Sequence, residues 1–166
     1  VFQGYLFGEP MAADAATLVL RRRYLRPELF AATKQDQTLL LVDDEENVLR
    51  SLVRLFRRDG YRILAAGNVR DAFDLLATND VQVILSDQRM SDMSGTEFLG
   101  RVKMLYPDTV RMVLSGYTDL ATVTDAINRG AIYRFLTKPW NDDELREHIR
   151  QAFRTHQEQR QARRGD

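Results

Sequence analysis

Four consecutive acids, Asp43, Asp44, Glu45 and Glu46, directly follow the apolar run at 39–42. Two carboxylates about 4 Å apart repel by roughly 4 kcal/mol at an effective dielectric near 20, so such a run needs a role that offsets the repulsion. Helix capping is one, since acids are favoured at and just inside a helix N-terminus, and it accounts for two of the four. A further acid, Asp87, closes a second apolar run in VILSDQRM. A hydroxyl, Ser115, closes a third in MVLSG, and Lys138 follows a fourth in YRFLTKPW. Carboxylates gathered without His or Cys are hard oxygen ligands that suit Mg2+, an ion that keeps waters and seeks phosphate oxygens. A carboxylate can also be the nucleophile that accepts a phosphoryl group, and an ammonium and a hydroxyl can hold the phosphoryl oxygens. Only three of the 24 cationic residues are lysines (Lys34, Lys103 and Lys138). Lysine at 138 is therefore a departure from the chain's habit, and a compact ammonium is not interchangeable with a guanidinium at a crowded site.

The elements that would position these residues alternate from residue 38 onward. The pattern predicts strands at 39–42, 62–66, 81–86, 111–115 and 132–137. Helices are predicted at 47–58 (Val48, Leu52, Leu55 and Phe56 inward), 69–78, 96–106, 120–129 and 142–153 (Leu145, Ile149 and Phe153 inward). Gly60, Asn79-Asp80, Pro107-Asp108 and Gly130 mark the returns from helix to strand. Five strand–helix units predict an α/β fold, a doubly wound, five-stranded parallel sheet covered on both faces. Ligands of such sheets bind beyond the carboxyl ends of the strands, at the point where the connections diverge. In the order 2-1-3-4-5, taken from known sheets of this kind and not read from the residues, the first and third strands are neighbours and their acids share one crevice. Capping explains each acid singly but not the set.

The motifs LLLVDDEE, VILSDQRMSDMSG, MVLSG and YRFLTKPW, in this order and spacing, resemble the receiver domain of two-component response regulators over about residues 38–153. The resemblance implies the flavodoxin-like (βα)5 fold and a phosphorelay function with Asp87 as phosphoacceptor. It implies Mg2+ bound directly by Asp44, mainly through water by Asp43, by Asp87, and by the main-chain carbonyl of Arg89. Ser115 and Lys138 would hold the phosphoryl oxygens, with Ser115 and Phe135 forming the switch pair, and the Lys138–Pro139 bond would be cis. A sensor histidine kinase or a histidine phosphotransfer protein would be the phosphodonor, and a homodimer could form through the face made by the fourth helix, fifth strand and fifth helix. Two features depart from the family's habit or vary within it. Ser91 stands where proline is usual, and Arg89 and Tyr117 are bulky at positions that tune phosphoryl lifetime.

The flanks read differently. FQGYLFGEPM, at the front, resembles the end of an EAL-type cyclic diguanylate phosphodiesterase domain, which would make residues 1–20 the remnant of an upstream domain that the receiver regulates. Residues 21–37 then form a linker, including the basic stretch RRRYLR, read as solvated. Residues 154–166 are polar all round, a helical extension or a frayed tail. His148 and His156 are expected to be solvated, the five methionines to fill core or loops, and Gly95 and Gly116 to serve turns and close approach. The formal net charge is zero, with 15 basic and 18 acidic residues over 38–153. No basic footprint for nucleic acid results. No apolar run approaches the ~18 residues of a membrane span, and the absence of cysteine suits a cytoplasmic setting. The competing functions are an interaction or dimerisation module independent of phosphorylation, and a phosphohydrolase of the haloacid dehalogenase type. The latter requires Asp-x-Asp after its first strand, whereas this chain has Asp43-Asp44-Glu45.

Overall fold

The run at 39–42 shows no polar alternation because both of its faces are covered. The computed structural model describes residues 37–116 and 119–165, and in it Leu39, Leu40 and Leu41 have no exposed surface. They lie in β1 (Thr38–Val42), which is followed by α1 (Glu46–Arg57), β2 (Arg62–Ala66), α2 (Val69–Thr78), β3 (Val83–Asp87), α3 (Gly95–Leu105), β4 (Val110–Ser115), α4 (Leu120–Asn128), β5 (Arg134–Thr137) and α5 (Asp142–Arg164). All strands are parallel, in the order β2-β1-β3-β4-β5. The doubly wound sheet of the sequence reading is thus the observed one. A parallel central strand with helices on both faces must be apolar throughout, and β1 obeys that rule until its last residue.

Boundaries shift where side chains compete with the ladder. β3 begins at Val83 and not at 81, because the Gln82 amide oxygen takes the Thr38 N–H (2.7 Å) before the strands pair. It also runs one residue further and includes Asp87, which sits opposite Leu114 of β4. In α1 the buried stripe is Leu49, Leu52, Val53 and Phe56, with Val48 and Leu55 only partly buried. That stripe keeps the i, i+3, i+4, i+7 spacing but is turned from the expected one.

Helix α5 extends through Arg164, well past Phe153. Its first half is held by Tyr61 stacked on Phe153 (4.6 Å between centroids) and by Arg146 gripping Asp59 with two nitrogens (2.7 and 3.2 Å). Beyond that, Gln, Glu, Arg and Ala are good helix formers that need no apolar stripe, and Arg163 pairs with Asp108. His156, expected in solvent, is instead buried in a groove at the base of the domain, walled by Asp80, Tyr106, Pro107, Thr109 and Arg160. Burial, then the Arg160 charge, pushes its pKa down. His148 is half-buried with Nδ1 against the Arg134 guanidinium, and burial and that charge lower its pKa too. Met112 fills the core, Met90 and Met93 pack partly against it, but Met104 projects from α3 into solvent.

The turn after β3 is set by close approach. A Cβ on Gly95 would lie 2.2 Å from the carbonyl oxygen of Asp87, and the Gly95 N–H donates to the Gln88 carbonyl (2.9 Å). Gly100, one turn and a half further along α3, has open space around its missing Cβ. Gly95→Ala is therefore expected to lower stability by about 2–3 kcal/mol through forced backbone displacement. Gly100→Ala should raise it by about 0.5–1 kcal/mol through reduced unfolded-state freedom. Urea unfolding midpoints of the two variants check the pair of signs.

Candidate functional site: an acidic crevice closed by a lysine

Capping does not account for the acid run. Glu45 stands at the N-cap of α1 and makes no side-chain cap bond. Glu46 pairs with Arg50 one turn on. Asp43 folds back so that Oδ1 accepts the Glu45 N–H (2.8 Å), and Asp44 reaches across to the β3–α3 loop, where Oδ2 accepts the Ser91 N–H (3.2 Å). Proline at 91 could not make that bond, so the departure at this position supplies a tie between the two acidic loops.

Neighbouring strand ends then bring the acids together. One oxygen from each of Asp43, Asp44 and Asp87 lies within 4.8 Å of the others, with Asp43 and Asp87 buried and Asp44 exposed. Lys138, arriving from the end of β5, places Nζ 2.7 Å from Asp87 Oδ1 and 3.7 Å from Asp43 Oδ2. The Lys138 N–H donates to the Ser115 carbonyl (2.9 Å), and the Lys138–Pro139 peptide is cis. Ser115 is buried at the end of β4. Its single hydroxyl proton is shared between the Gly116 carbonyl (3.0 Å) and Asp119 Oδ2 (3.3 Å). Phe135 lies partly buried on β5, opposite Val113. The structure thus gathers Asp43, Asp44, Asp87, Ser115 and Lys138 in one crevice, with Arg89 at its rim. Tyr117 and the motif in residues 1–20 fall outside the described residues.

The electrostatics follow from burial. Burial pushes the Asp43 carboxyl up to about 6, the Glu45 N–H opposes this, the Asp87 charge adds to it and Lys138 opposes it. Asp87 is also raised, by burial, against the opposing hydrogen bond and charge of Lys138. Burial alone would lower Lys138, but its bond to Asp87 and the charges of Asp87 and Asp43 win, and its pKa is raised. Asp43 Oδ2 has no hydrogen-bond partner despite complete burial, an arrangement that is costly unless a cation serves it. The donor set of three carboxylates without nitrogen or sulfur fits a hard divalent ion such as Mg2+.

Several positioning residues were not evident in the sequence. Gln88, buried beside Asp87, clamps α3 by accepting the Thr96 N–H (3.0 Å) and donating to the Thr96 hydroxyl (3.2 Å). Asp92 Oδ2 accepts the Val69 N–H (3.1 Å) and joins the same loop to α2. Asp119 faces both Arg89 and Ser115. Polar residues in a loop after an acid look solvated in sequence, and only the fold shows which are enclosed.

An acidic crevice at the carboxyl ends of a five-stranded doubly wound sheet, closed by a lysine, defines an α/β domain whose donor set suits a hard cation. Comparison with known proteins identifies it further: the model of the response regulator receiver domain matches residues 39–150, and the chain belongs to that family. Among curated proteins it is 41% identical over 124 residues to the hydrogenase transcriptional regulatory protein HoxA of Bradyrhizobium diazoefficiens, covering 75% of this chain and 25% of that one. It is 26% identical over 115 residues to sporulation initiation phosphotransferase F of Bacillus subtilis, covering 69% of this chain and 92% of that one. Among solved structures, the signal receiver domain of an HD domain-containing protein from Pseudomonas fluorescens Pf-5 superimposes with a TM-score of 0.73 at 36% identity, over 79% of this chain and 96% of that one. The chain spans about a quarter of the length of the HoxA relatives. No helix among the described residues is long and apolar enough to cross a membrane.

The raised Asp43 pKa has a stability consequence. Its folded value lies above the unfolded one, so the folded state binds more protons than the unfolded state between about pH 4 and 6, and stability falls as pH rises through that window. In metal-free buffer, Asp43→Asn should stabilise the domain by roughly 1–3 kcal/mol at pH 8, and roughly half of that gain should be lost at pH 5. Denaturant unfolding at the two pH values checks it. A gain independent of pH would contradict the burial of a charged Asp43.

Proposed function

We propose that this receiver is a phosphorylation switch in which Asp87 accepts a phosphoryl group from a phosphohistidine of a sensor kinase or phosphotransfer protein. The observation that carries the reading is Lys138 Nζ at 2.7 Å from Asp87 Oδ1 in a crevice shared with Asp43 and Asp44. An Asp87 carboxylate oxygen attacks phosphorus, the O–P bond forms, and the bond from phosphorus to the donor nitrogen breaks with its electron pair leaving on the donor. Lys138 favours the ionised form of Asp87 before transfer and afterwards neutralises a phosphoryl oxygen, and the Ser115 hydroxyl donates to another. Asp43, Asp44, Asp87 and the Arg89 carbonyl would hold Mg2+, which when bound supplies charge neutralisation for an incoming phosphoryl group. The Bacillus relative is named a phosphotransferase, which supports the same chemistry.

The output is read from Ser115 and Phe135. Drawing the Ser115 hydroxyl toward the phosphoryl group frees space that Phe135 can enter, which alters the face formed by α4, β5 and α5, where a second copy could dock. The HoxA relatives are named as transcriptional regulators, an output other than a phosphodiesterase. Regulation of an upstream cyclic diguanylate phosphodiesterase is supported here by the Gln3-Gly4-Tyr5 and Phe7-Gly8-x-Pro10 motif alone.

Incubation with acetyl phosphate and Mg2+, followed by mass spectrometry, tests the chemistry. One phosphoryl group is expected on Asp87, absent in chelator and absent in a folded Asp87→Asn variant, and labelling that survives that substitution would overturn the assignment. Lys138→Arg keeps the charge but enlarges the donor. It should retain some labelling while the amide shifts across 120–153 that accompany phosphorylation shrink. Undiminished shifts would count against coupling through Lys138.

A further inference from the structure

We infer that Asp119 is a two-position latch, holding Ser115 and Arg89 in the unphosphorylated domain and turning to cap α4 once a phosphoryl group takes those two donors. The inference rests on Asp87 as the phosphoacceptor. Its starting point is a cap residue that does not cap. Three other helices have N-cap side chains that accept the N–H three residues on: Asn68 from Asp71 before α2, Ser94 from Glu97 before α3, and Asn141 from Glu144 before α5. Asp119 stands at the N-cap of α4 and is among the residue types best suited to that role. It makes no cap bond, and its backbone (φ −101°, ψ 10°) lies outside the extended region that a cap adopts.

The carboxylate is occupied elsewhere. Arg89 Nε lies 3.2 Å from Oδ1 and 3.3 Å from Oδ2, and the Ser115 hydroxyl donates to Oδ2 at 3.3 Å. The Asp119 side chain is only 15% exposed, whereas that of Arg89 is 70% exposed, so solvent reaches the pair from the arginine side and a competing anion can reach the guanidinium. Both partners border the phosphoacceptor: Arg89 is two residues after Asp87, and Ser115 follows the residue that pairs with Asp87 in the sheet. A dianionic phosphoryl group there competes for the same two donors and repels the carboxylate that holds them.

The helix is arranged to respond at that end. Its C-terminal end is tied down, with Lys103 Nζ donating to the Arg129 carbonyl (2.9 Å) and Arg111 to the carbonyls of Ala131 (2.8 Å) and Gly130 (3.3 Å). Along its length only Val123 and Ala126 are buried. The N-terminal end is therefore free to pivot about a fixed far end once Asp119 lets go. Released, Asp119 can accept from a first-turn N–H of α4, as the caps of α2, α3 and α5 do, so each state has its own contacts, as a two-state element requires.

Three variants of the full chain, Asp119→Asn, Asp119→Ala and Arg89→Ala, separate latch from cap, because Asn can still cap but pairs poorly with Arg. Amide spectra are compared without phosphoryl donor and with Mg2+ plus beryllofluoride, an inorganic phosphoryl mimic. In the unmodified state, the amides of 119–124 in Asp119→Asn and Arg89→Ala should move part of the way toward the beryllofluoride positions of the wild type. In the beryllofluoride state Asp119→Asn should match the wild type, whereas Asp119→Ala should show faster hydrogen exchange in the first turns of α4. Removing one negative charge beside the crevice should also speed labelling by acetyl phosphate in Asp119→Asn on the order of fivefold. Unmodified Asp119→Asn amides that superimpose on the wild type would overturn the latch, as would equal exchange in the Asn and Ala variants under beryllofluoride. Should the wild type fail to label at all, the Asp87 assignment falls, and the unmodified spectra still judge the bridge from Asp119 to Arg89 and Ser115.

Discussion

The contact between Lys138 and Asp87 is the constraint on which the rest of the site depends. Parallel strands that end at the same level deliver Asp43, Asp44 and Asp87 to one crevice, and two of these acids are buried. Buried like charges are tolerated only when something opposes them. The ammonium at 2.7 Å from Asp87 and 3.7 Å from Asp43 is the one protein cation that an ion pair joins to these acids among the described residues. It offsets part of the repulsion. Asp43 remains raised to about 6, and its Oδ2, though 3.7 Å from that ammonium, accepts no hydrogen bond. The domain thus retains a local charge excess whose complement is an added cation.

Around that excess the loops are tied by backbone and amide bonds, and no further ion pair joins the three acids among the described residues. The Ser91 N–H secures Asp44, Gln88 secures Thr96, and Gly95 lets α3 begin against the Asp87 carbonyl. These bonds hold the acids in place without cancelling their charge. A further lysine or arginine among them would cancel the charge excess that an added cation could complement.

The legible part of the protein was that in which residue type and position coincide. Asp43, Asp44, Asp87, Ser115 and Lys138 each close an apolar run, and a strand end is the one place in a parallel sheet where a polar side chain can face a crevice. Strand and helix counts followed from alternation, whereas the strand order came from known sheets of this kind and not from the residues. What stayed hidden depended on distant packing. His156 lies on a helix segment with no apolar stripe, and its burial requires the turn before β3 and the turn after α3 to fold beneath it. Gln88 and Asp119 are polar residues in loops, indistinguishable in sequence from solvated ones, and their partners stand 8 and 30 residues away. The stripe of α1 was misplaced because Val48 and Leu55 satisfy the same periodicity as Leu49 and Val53.

The central claim is that the crevice carries a charge excess built for a divalent cation. Calorimetric titration of the protein with Mg2+ at pH 8 and pH 5 tests it most directly. The account predicts one saturable binding event at pH 8. Binding should be weaker at pH 5, where protons compete for Asp43 with its pKa near 6, and it should be lost when Asp43 and Asp44 are both replaced by Asn. No saturable event at either pH, or an event that survives the double replacement, would contradict it.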